Sequence, residues 1–208
     1  GFTIGGAFIK NKLFYFVNGE QESKSVPAIT WTAATPTTPA NGTTVSAAQA
    51  SDLDALATFL KSKYNYDPGV YQGYSYASKS KRLTAKIDWN INTNNRFTLS
   101  YRYSEAKDYN TSASNSTNAN FYNAGILYPN KTNSVSAELR STFKNGVSNK
   151  MLFTYTDVVD DRSQIGDPFP RVVITDGAGK ITFGSEEFST SNLLKQSNLN
   201  FLDYVKIN

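Results

Sequence analysis

The sequence contains few side chains that could carry out chemistry. Its 208 residues include no Cys and no His. Disulfide bonds, thiolate metal sites, a Cys nucleophile and a Ser-His-Asp triad are therefore impossible within it. The commonest general base and the commonest transition-metal ligand are also missing. We therefore expect a protein that is not an enzyme and that carries no cofactor.

Carboxylates are the remaining candidates for a reactive or metal-binding site. One group could supply some of the oxygen ligands of a calcium ion: Asp157, Asp160, Asp161 and Asp167. The spacing of a calcium-binding loop is absent, so a solvated acidic loop is the favoured interpretation. Glu186-Glu187 could serve in glycoside hydrolysis, but nothing in the sequence places another carboxylate opposite this pair. Surface charge is the favoured interpretation there too.

Tyrosines are concentrated between residues 64 and 76. Stacking on sugars or aromatic ligands is one use for such rings, which makes four of them candidate ligand-facing loop aromatics: Tyr66, Tyr71, Tyr74 and Tyr76. The same residues, together with Tyr64, could form the aromatic girdle of a membrane interface or pack within the loop. We favour this second interpretation.

The charge balance argues against a nucleic-acid partner. The net charge is +4, from 21 basic and 17 acidic residues. Lys and Arg are scattered among strand-like and loop-like segments, without the dense basic stripe of a nucleic-acid binder. No apolar run reaches the roughly 18 residues that a membrane helix requires. A membrane barrel remains compatible with this composition, because only alternate residues of its strands face lipid.

Alternating apolar and polar residues predict the clearest β-hairpin near the middle of the chain. One face of the first strand carries Leu83, Ala85, Ile87, Trp89 and Ile91. A turn-forming cluster, Asn92–Asn95, follows. The pattern then resumes with Phe97, Leu99, Tyr101 and Tyr103 on one face.

Three further segments predict strands. Asn145-Gly146 is the strongest hairpin signal, preceded by Val135, Ala137, Leu139 and Phe143 and followed by a return strand from Met151 to about Asp160. Near the start, Lys10-Asn11-Lys12 predicts a turn between strands that contain Phe2–Phe8 and Leu13–Glu20. A seventh strand is expected to carry Leu199, Phe201, Val205 and Ile207.

Long polar loops connect these hairpins, at about residues 23–78, 107–131 and 161–195. In the first, Ser51-Asp52-Leu53-Asp54 has the form of a capping box and predicts a short helix from about Asp52 to Lys63. In the last, residues 172–174 and 181–183 predict a small hairpin around the turn at 176–179. Short turns and long loops therefore alternate along the chain, as periplasmic turns and extracellular loops do in outer-membrane barrels.

Together these signals predict an all-β fold: an antiparallel up-and-down meander that forms a partial transmembrane β-barrel of about seven strands, with long extracellular loops and one short loop helix. Strands of about nine to eleven residues suit a tilted membrane span. The residues expected to face lipid are Leu83, Ala85, Ile87, Trp89, Ile91, Phe97, Leu99, Tyr101, Tyr103, Val135, Ala137, Leu139 and Phe143. The odd strand count and strand-like ends make residues 1–208 a fragment of a larger barrel in this interpretation.

Three segments resemble Oar-like TonB-dependent transporters. They are IGGAFIKNKLFYFVNGE at 4–20, RLTAKIDWNINTNNRFTLSYRY at 82–103 and, more weakly, residues 168–194. The resemblance implies a barrel of about 22 strands around an N-terminal plug. It further implies an energy-coupling inner-membrane complex and import or surface display of a ligand. The chain lacks the family's plug, energy-coupling box and C-terminal strand.

The function expected from this resemblance is a share in the outer-membrane barrel of a TonB-dependent receptor or transporter. The partners would be outer-membrane lipid, the rest of the barrel with its plug, the energy-coupling complex through segments outside this sequence, and an unknown transported ligand. The alternative is a soluble or surface-attached carbohydrate-binding or adhesive β domain that uses the Tyr-rich loops.

Overall fold

The computed structural model describes residues 1–27, 31–110, 113–188 and 191–207. Short 3₁₀ turns at Tyr122–Ala124 and Lys144–Gly146 accompany one helix and twelve strands. In chain order these are β1 (Phe2–Ile9), β2 (Leu13–Pro27), β3 (Thr32–Ala34), β4 (Val45–Gln49), α1 (Ala50–Tyr64), β5 (Ser75–Asn90), β6 (Asn95–Asn110), β7 (Asn118–Asn120), β8 (Ile126–Thr142), β9 (Val147–Gln164), β10 (Val172–Asp176), β11 (Gly179–Phe183) and β12 (Asn192–Ile207).

Seven long strands form one curled antiparallel sheet in the order β1-β2-β5-β6-β8-β9-β12. Each long strand pairs with the next long strand along the chain, so the predicted up-and-down meander is confirmed. The sheet has the shape of half a barrel. Because every connection joins neighbours, the short turns lie at one end of the sheet and the long loops at the other.

Local turn chemistry explains the three short connections, which lie where the sequence predicts them. Asn11 adopts the left-handed backbone between β1 and β2, at φ 60°. The Asn92 side chain accepts hydrogen bonds from the amides of Asn94 and Asn95, both at 2.9 Å, and so closes the turn before β6. Gly146, at φ 74°, supplies the positive φ between β8 and β9.

The long strands extend further toward the long loops than predicted. Strands β2, β5, β6, β8, β9 and β12 have 15 to 18 residues. Toward the long loops, the return strand after the Gly146 turn continues past Asp160 to Gln164, and β5 begins at Ser75, inside the predicted loop. At the short-turn end, the return strand begins at Val147 and not at Met151. These extensions carry polar residues on both faces, which removes the alternation that marks a strand in the sequence.

The long loops fold together at one end of the sheet. Strands β10 and β11 form the predicted small hairpin, and β11 also pairs in parallel with β7 from the preceding loop. Strands β3 and β4 form a second small sheet. Buried residues from the three loops share one core, which includes Leu53, Leu60, Ala119, Phe121, Ile181 and Phe183. We call this unit the loop cap.

Helix α1 confirms the predicted helix, but its capping differs from the expectation. Ser51 lies inside the helix, and the N-cap residue is Gln49, whose own side chain makes no capping bond. The backbone N–H of Gln49 instead donates to a carboxylate oxygen of Asp176, at the end of β10, at 2.9 Å. At the other end, Asn65 adopts the left-handed conformation at φ 53°. No helix in the described part of the chain is long and apolar enough to cross a membrane.

Candidate functional site

The long sheet has one continuous apolar face. Residues paired directly across neighbouring strands share a face, so the register defines rows that run across the sheet. The central row is apolar on every strand from β2 to β12 and consists of Tyr15, Ile87, Leu99, Ala137, Phe153 and Phe201. The next row toward the long loops consists of Val17, Ala85, Tyr101, Val135, Tyr155 and Leu199.

The structure brings eleven of the thirteen sequence-predicted apolar residues together on this face. Those on β5, β6 and β8 lie in these two rows or in the rows beside them. Ile91 and Phe143 lie just outside the strands, in the short turns after β5 and β8. The residues expected to face lipid did not include their equivalents on β2, β9 and β12, such as Tyr15, Phe153 and Phe201, although Phe201 was predicted on one face of the seventh strand.

The apolar face is also the more exposed face of the sheet. On β5, Leu83, Ile87 and Trp89 of the apolar face are exposed, whereas Thr84, Lys86 and Asp88, which alternate with them on the opposite face, are only partly exposed. Side chains spread apart on the convex side of a curled sheet and crowd together on the concave side. The apolar face is therefore convex, which reverses the arrangement of a water-soluble sheet packed on a core.

Tyrosine hydroxyls mark the boundary of the apolar face nearest the long loops. The Tyr101 hydroxyl donates to the Asn133 side chain at 2.8 Å, and the Tyr103 hydroxyl donates to Glu105 at 2.9 Å. Asn133 and Glu105 both lie nearer the long loops than the tyrosine that donates to them. The rings therefore lie against the apolar rows while their hydroxyls reach the first polar row.

The concave face carries a network of ionic side chains. The Asp88 carboxylate accepts from the Lys86 ammonium at 2.8 Å, from the Arg96 guanidinium at 3.1 Å and from the Thr98 hydroxyl at 2.7 Å. These residues come from β5 and β6, which pair directly. The bonds fix long cationic side chains over the surface of the sheet.

A second carboxylate continues the network on the neighbouring strands. Glu138 on β8 accepts from the Arg140 guanidinium and from the Lys150 ammonium, the latter at 3.2 Å. Thr98 and Glu138 are direct cross-strand partners, which joins the two groups. Four cations and two carboxylates therefore give this patch a net formal charge of +2. Alternation along each strand places these charges on the face opposite the apolar rows, whereas their pairing depends on the register between strands.

The four candidate loop aromatics occupy different environments in or beside the loop cap. Tyr66 is only 3% exposed, with its ring stacked on Phe169 at 4.1 Å between centroids, so it packs within the cap. Tyr71 is half-buried against Phe121. Tyr74 makes edge contacts with Tyr76 and Tyr122, at 6.2 Å and 5.3 Å, and these three partly exposed rings form one surface cluster.

Two loop groups have displaced pKa values with clear causes. Partial burial and a 2.8 Å hydrogen bond from the Tyr71 hydroxyl to the Asp54 carboxylate raise the pKa of Tyr71 to about 12. The Asp176 carboxyl beside Asp52 raises the pKa of Asp52 above its usual value, first through a shared hydrogen bond and then through like-charge repulsion. Both contacts hold α1 to the rest of the loop cap.

The acidic groups do not converge. Asp157 accepts from the Ser197 hydroxyl on the convex side, while Asp160 faces the other side and accepts from the Asn130 amide. Within the described ranges, no three acidic side chains are close enough to hold a metal ion. Glu187 forms an ion pair with Arg171 at 3.5 Å.

Comparison with known proteins supports the fold. No protein-family model matches the sequence, and no curated protein matches it. Among solved structures, the chain is similar to the outer membrane transporter YddB from Escherichia coli, with a TM-score of 0.56 and 7% sequence identity. The match covers 98% of this chain and 21% of the transporter chain. The fold is thus that of a section of an outer-membrane β-barrel.

Proposed function

We propose that this chain is part of the wall of an outer-membrane barrel transporter of the TonB-dependent type, the class that its sequence resembles. The observation that carries the proposal is the convex apolar face, bounded by tyrosine hydroxyls toward the long loops. Such a band, with an aromatic girdle, is the surface that a barrel presents to lipid. A soluble domain would instead bury these rows against a second layer.

In this proposal the thirteen sequence-predicted apolar residues and their counterparts on β2, β9 and β12 contact lipid, and the protein resides in the bacterial outer membrane. Each of the edge strands β1 and β12 pairs on one side only within the described part of the chain. Unpaired backbone groups are not tolerated in lipid. Further strands of the same protein would therefore pair with these two edges and close the barrel.

The other partners follow from the same arrangement. The concave ionic patch would face the lumen, where a plug and the passing ligand would contact it. The energy-coupling inner-membrane complex would act through segments outside this sequence. The short turns would lie in the periplasm and the loop cap outside the cell. We propose no catalytic step and no nucleic-acid partner for this section.

A second candidate function is carbohydrate binding or adhesion by the loop cap. The surface cluster of Tyr74, Tyr76 and Tyr122 favours it, because partly exposed tyrosine rings in edge contact offer faces for sugar rings. This function is compatible with the barrel, since surface loops of a barrel also capture ligands. A sugar that protects these rings from chemical modification, without altering the sheet, would support it.

Spin labels on adjacent residues of β5 test the primary proposal. Single Cys replacements at Ala85, Ile87 and Trp89 are compared with matched replacements at Thr84 and Lys86, in the full-length protein reconstituted in phosphatidylcholine vesicles. We expect the first set to collide with oxygen, which partitions into lipid, and the second with a water-soluble nickel chelate. Equal access of the nickel chelate to both sets would refute a lipid-facing sheet.

A further inference from the structure

Four lysines lie on the convex face just beyond the tyrosine boundary. Lys79 and Lys81 belong to β5, Lys107 to β6 and Lys131 to β8, and all four side chains are exposed. Glu105 on β6 lies between two of them, because it is the cross-strand partner of both Lys81 and Lys131. The group, which we call the lysine cluster, has a net formal charge of +3 when Glu105 is included.

The arrangement within the lysine cluster is costly without an anion. Lys79 and Lys107 are direct cross-strand partners. Like charges in this position destabilise a sheet, because their Cβ atoms are only about 5 Å apart. Of the four lysines, only Lys107 has an ion-pair partner among the residues that the structure describes, at 3.5 Å from Glu105. The lysine cluster therefore holds a net positive charge across two neighbouring rows of the sheet.

A shallow cleft lies at the same place. Its lining consists of three lysines, two glutamates and two neutral polar residues: Lys79, Lys81, Lys107, Glu22, Glu105, Gln21 and Ser80. The Lys131 ammonium lies over the Tyr103 ring, 5.7 Å from its centroid, and so connects the cluster to the boundary tyrosine. Lys81 lies in the row next to that of Leu83, the nearest residue of the apolar face on β5. The two rows are about 7 Å apart along the strand.

We propose that the lysine cluster binds the phosphate groups of outer-leaflet lipid. The inference rests on the proposed function, because it takes the apolar rows as the lipid contact. Headgroups then lie at the level of the lysines, one or two rows beyond the acyl chains. A phosphate between Lys79 and Lys107 accepts hydrogen bonds from both ammonium groups and removes their repulsion. Phosphate thus supplies a counter-charge for Lys79 and Lys107.

The test measures binding of diphosphoryl lipid A to the full-length protein in a nonionic detergent by native mass spectrometry. The test variant carries Gln at Lys79, Lys81, Lys107 and Lys131. The matched control variant carries Gln at four exposed lysines elsewhere, two at the first short turn and two in α1: Lys10, Lys12, Lys61 and Lys63. We expect the apparent Kd to rise at least about tenfold in the test variant and to stay unchanged in the control, since each Lys near an anionic surface contributes to affinity.

Dephosphorylated lipid A provides the second arm and should bind the unmodified protein as weakly as diphosphoryl lipid A binds the test variant. Equal binding of the two lipids, or an equal loss in the control variant, would overturn the inference. Spin labels at Ile87 and Lys86 are measured in the same variants. If the Ile87 label contacts lipid but the test variant binds diphosphoryl lipid A as tightly as the unmodified protein, the lysine inference alone is rejected. If the Ile87 label contacts water, the proposed function is rejected.

Discussion

Ala137 and Ser136 allow the orientation of the sheet to be tested by a single charge. They are neighbours on β8, and their side chains point to opposite faces: Ala137 pairs with Leu99 and Phe153, and Ser136 pairs with Ser100. Ala137 lies midway between Lys131 and Phe143, about 20 Å along the strand from each at roughly 3.4 Å per residue. For a strand tilted by about 40°, that distance is about 15 Å along the membrane normal, which places Ala137 near the midplane.

The expected cost follows from this position. A Lys on the lipid face costs about 2–4 kcal/mol at the midplane. Little apolar packing is lost, because Ala is small, and the Lys stem can reach toward the boundary along neighbouring side chains. We therefore expect Ala137→Lys to lower the free energy of unfolding by about 2–3 kcal/mol, which is roughly a 30- to 150-fold change in the equilibrium constant.

Ser136→Lys is the matched control. The new ammonium would lie on the concave face, on the same strand face as the Glu138 carboxylate, so we expect a change within about 0.5 kcal/mol. Urea unfolding of the full-length protein in phosphatidylcholine vesicles, followed by tryptophan fluorescence, measures both. Ala137→Leu should be neutral or stabilising. A larger loss for Ser136→Lys than for Ala137→Lys would show that the lipid and lumen faces have been exchanged.

Three further predictions concern the loop cap. Phe121→Ala should destabilise the cap by about 3–5 kcal/mol, seen as faster hydrogen exchange in α1; unchanged exchange would show that the cap has no shared core. The stabilisation from Tyr71 and Asp54 should be complete below pH about 10 and lost as pH rises toward 12, and Tyr71→Phe should abolish this dependence in a circular-dichroism titration. The contact between Asp52 and Asp176 should be strongest below the usual pKa of an aspartate and weaken as pH rises through the raised pKa of Asp52. Protection of α1 from protease should therefore fall as pH rises. Asp52→Asn should remove that pH dependence.

The sheet could be predicted from the sequence because its signals are local. The alternation from Leu83 to Trp89 defines a face within one strand, and Asn92 closes the next turn through its own side chain. At the turn before β9, Gly146 adopts the positive φ that the turn requires. Neighbouring strands in a meander are also neighbours in sequence, so the order of the sheet follows from the order of the turns.

The strand extensions could not be predicted in the same way. Beyond Leu83 the convex face carries Lys81 and Lys79, so apolar and polar residues no longer alternate. Pairing with β2 and β6 continues the strand there, and such pairing depends on residues far along the chain. The lysine cluster was missed for this reason: its members belong to three strands and share a face only once the register is known.

The loop cap was missed because its contacts are long-range. Strand β7 pairs in parallel with β11 across the whole β8–β9 hairpin. The capping partner of α1 is Asp176, and the apparent capping box around Ser51 is not used. Phe121 and Ile181 are buried together in the core. Ile181 lies in the predicted small hairpin, but Phe121 occurs in the sequence among small and polar residues without a helical or strand period. The sequence therefore predicted the helix and the small hairpin separately, but not the shared core that joins the three loops.

The two sets of apolar residues stabilise the structure by different means. Leu53, Phe121 and Ile181 are almost fully buried within the loop cap, so water is excluded from them by protein alone. The convex rows remain exposed after the sheet has formed, and Phe153 is 41% accessible. For those rows the hydrophobic contribution requires a second apolar medium, which under the proposed function is lipid. The cap should therefore keep its fold in detergents that weaken the sheet, and hydrogen exchange measured separately in α1 and β6 would show the two parts losing protection independently.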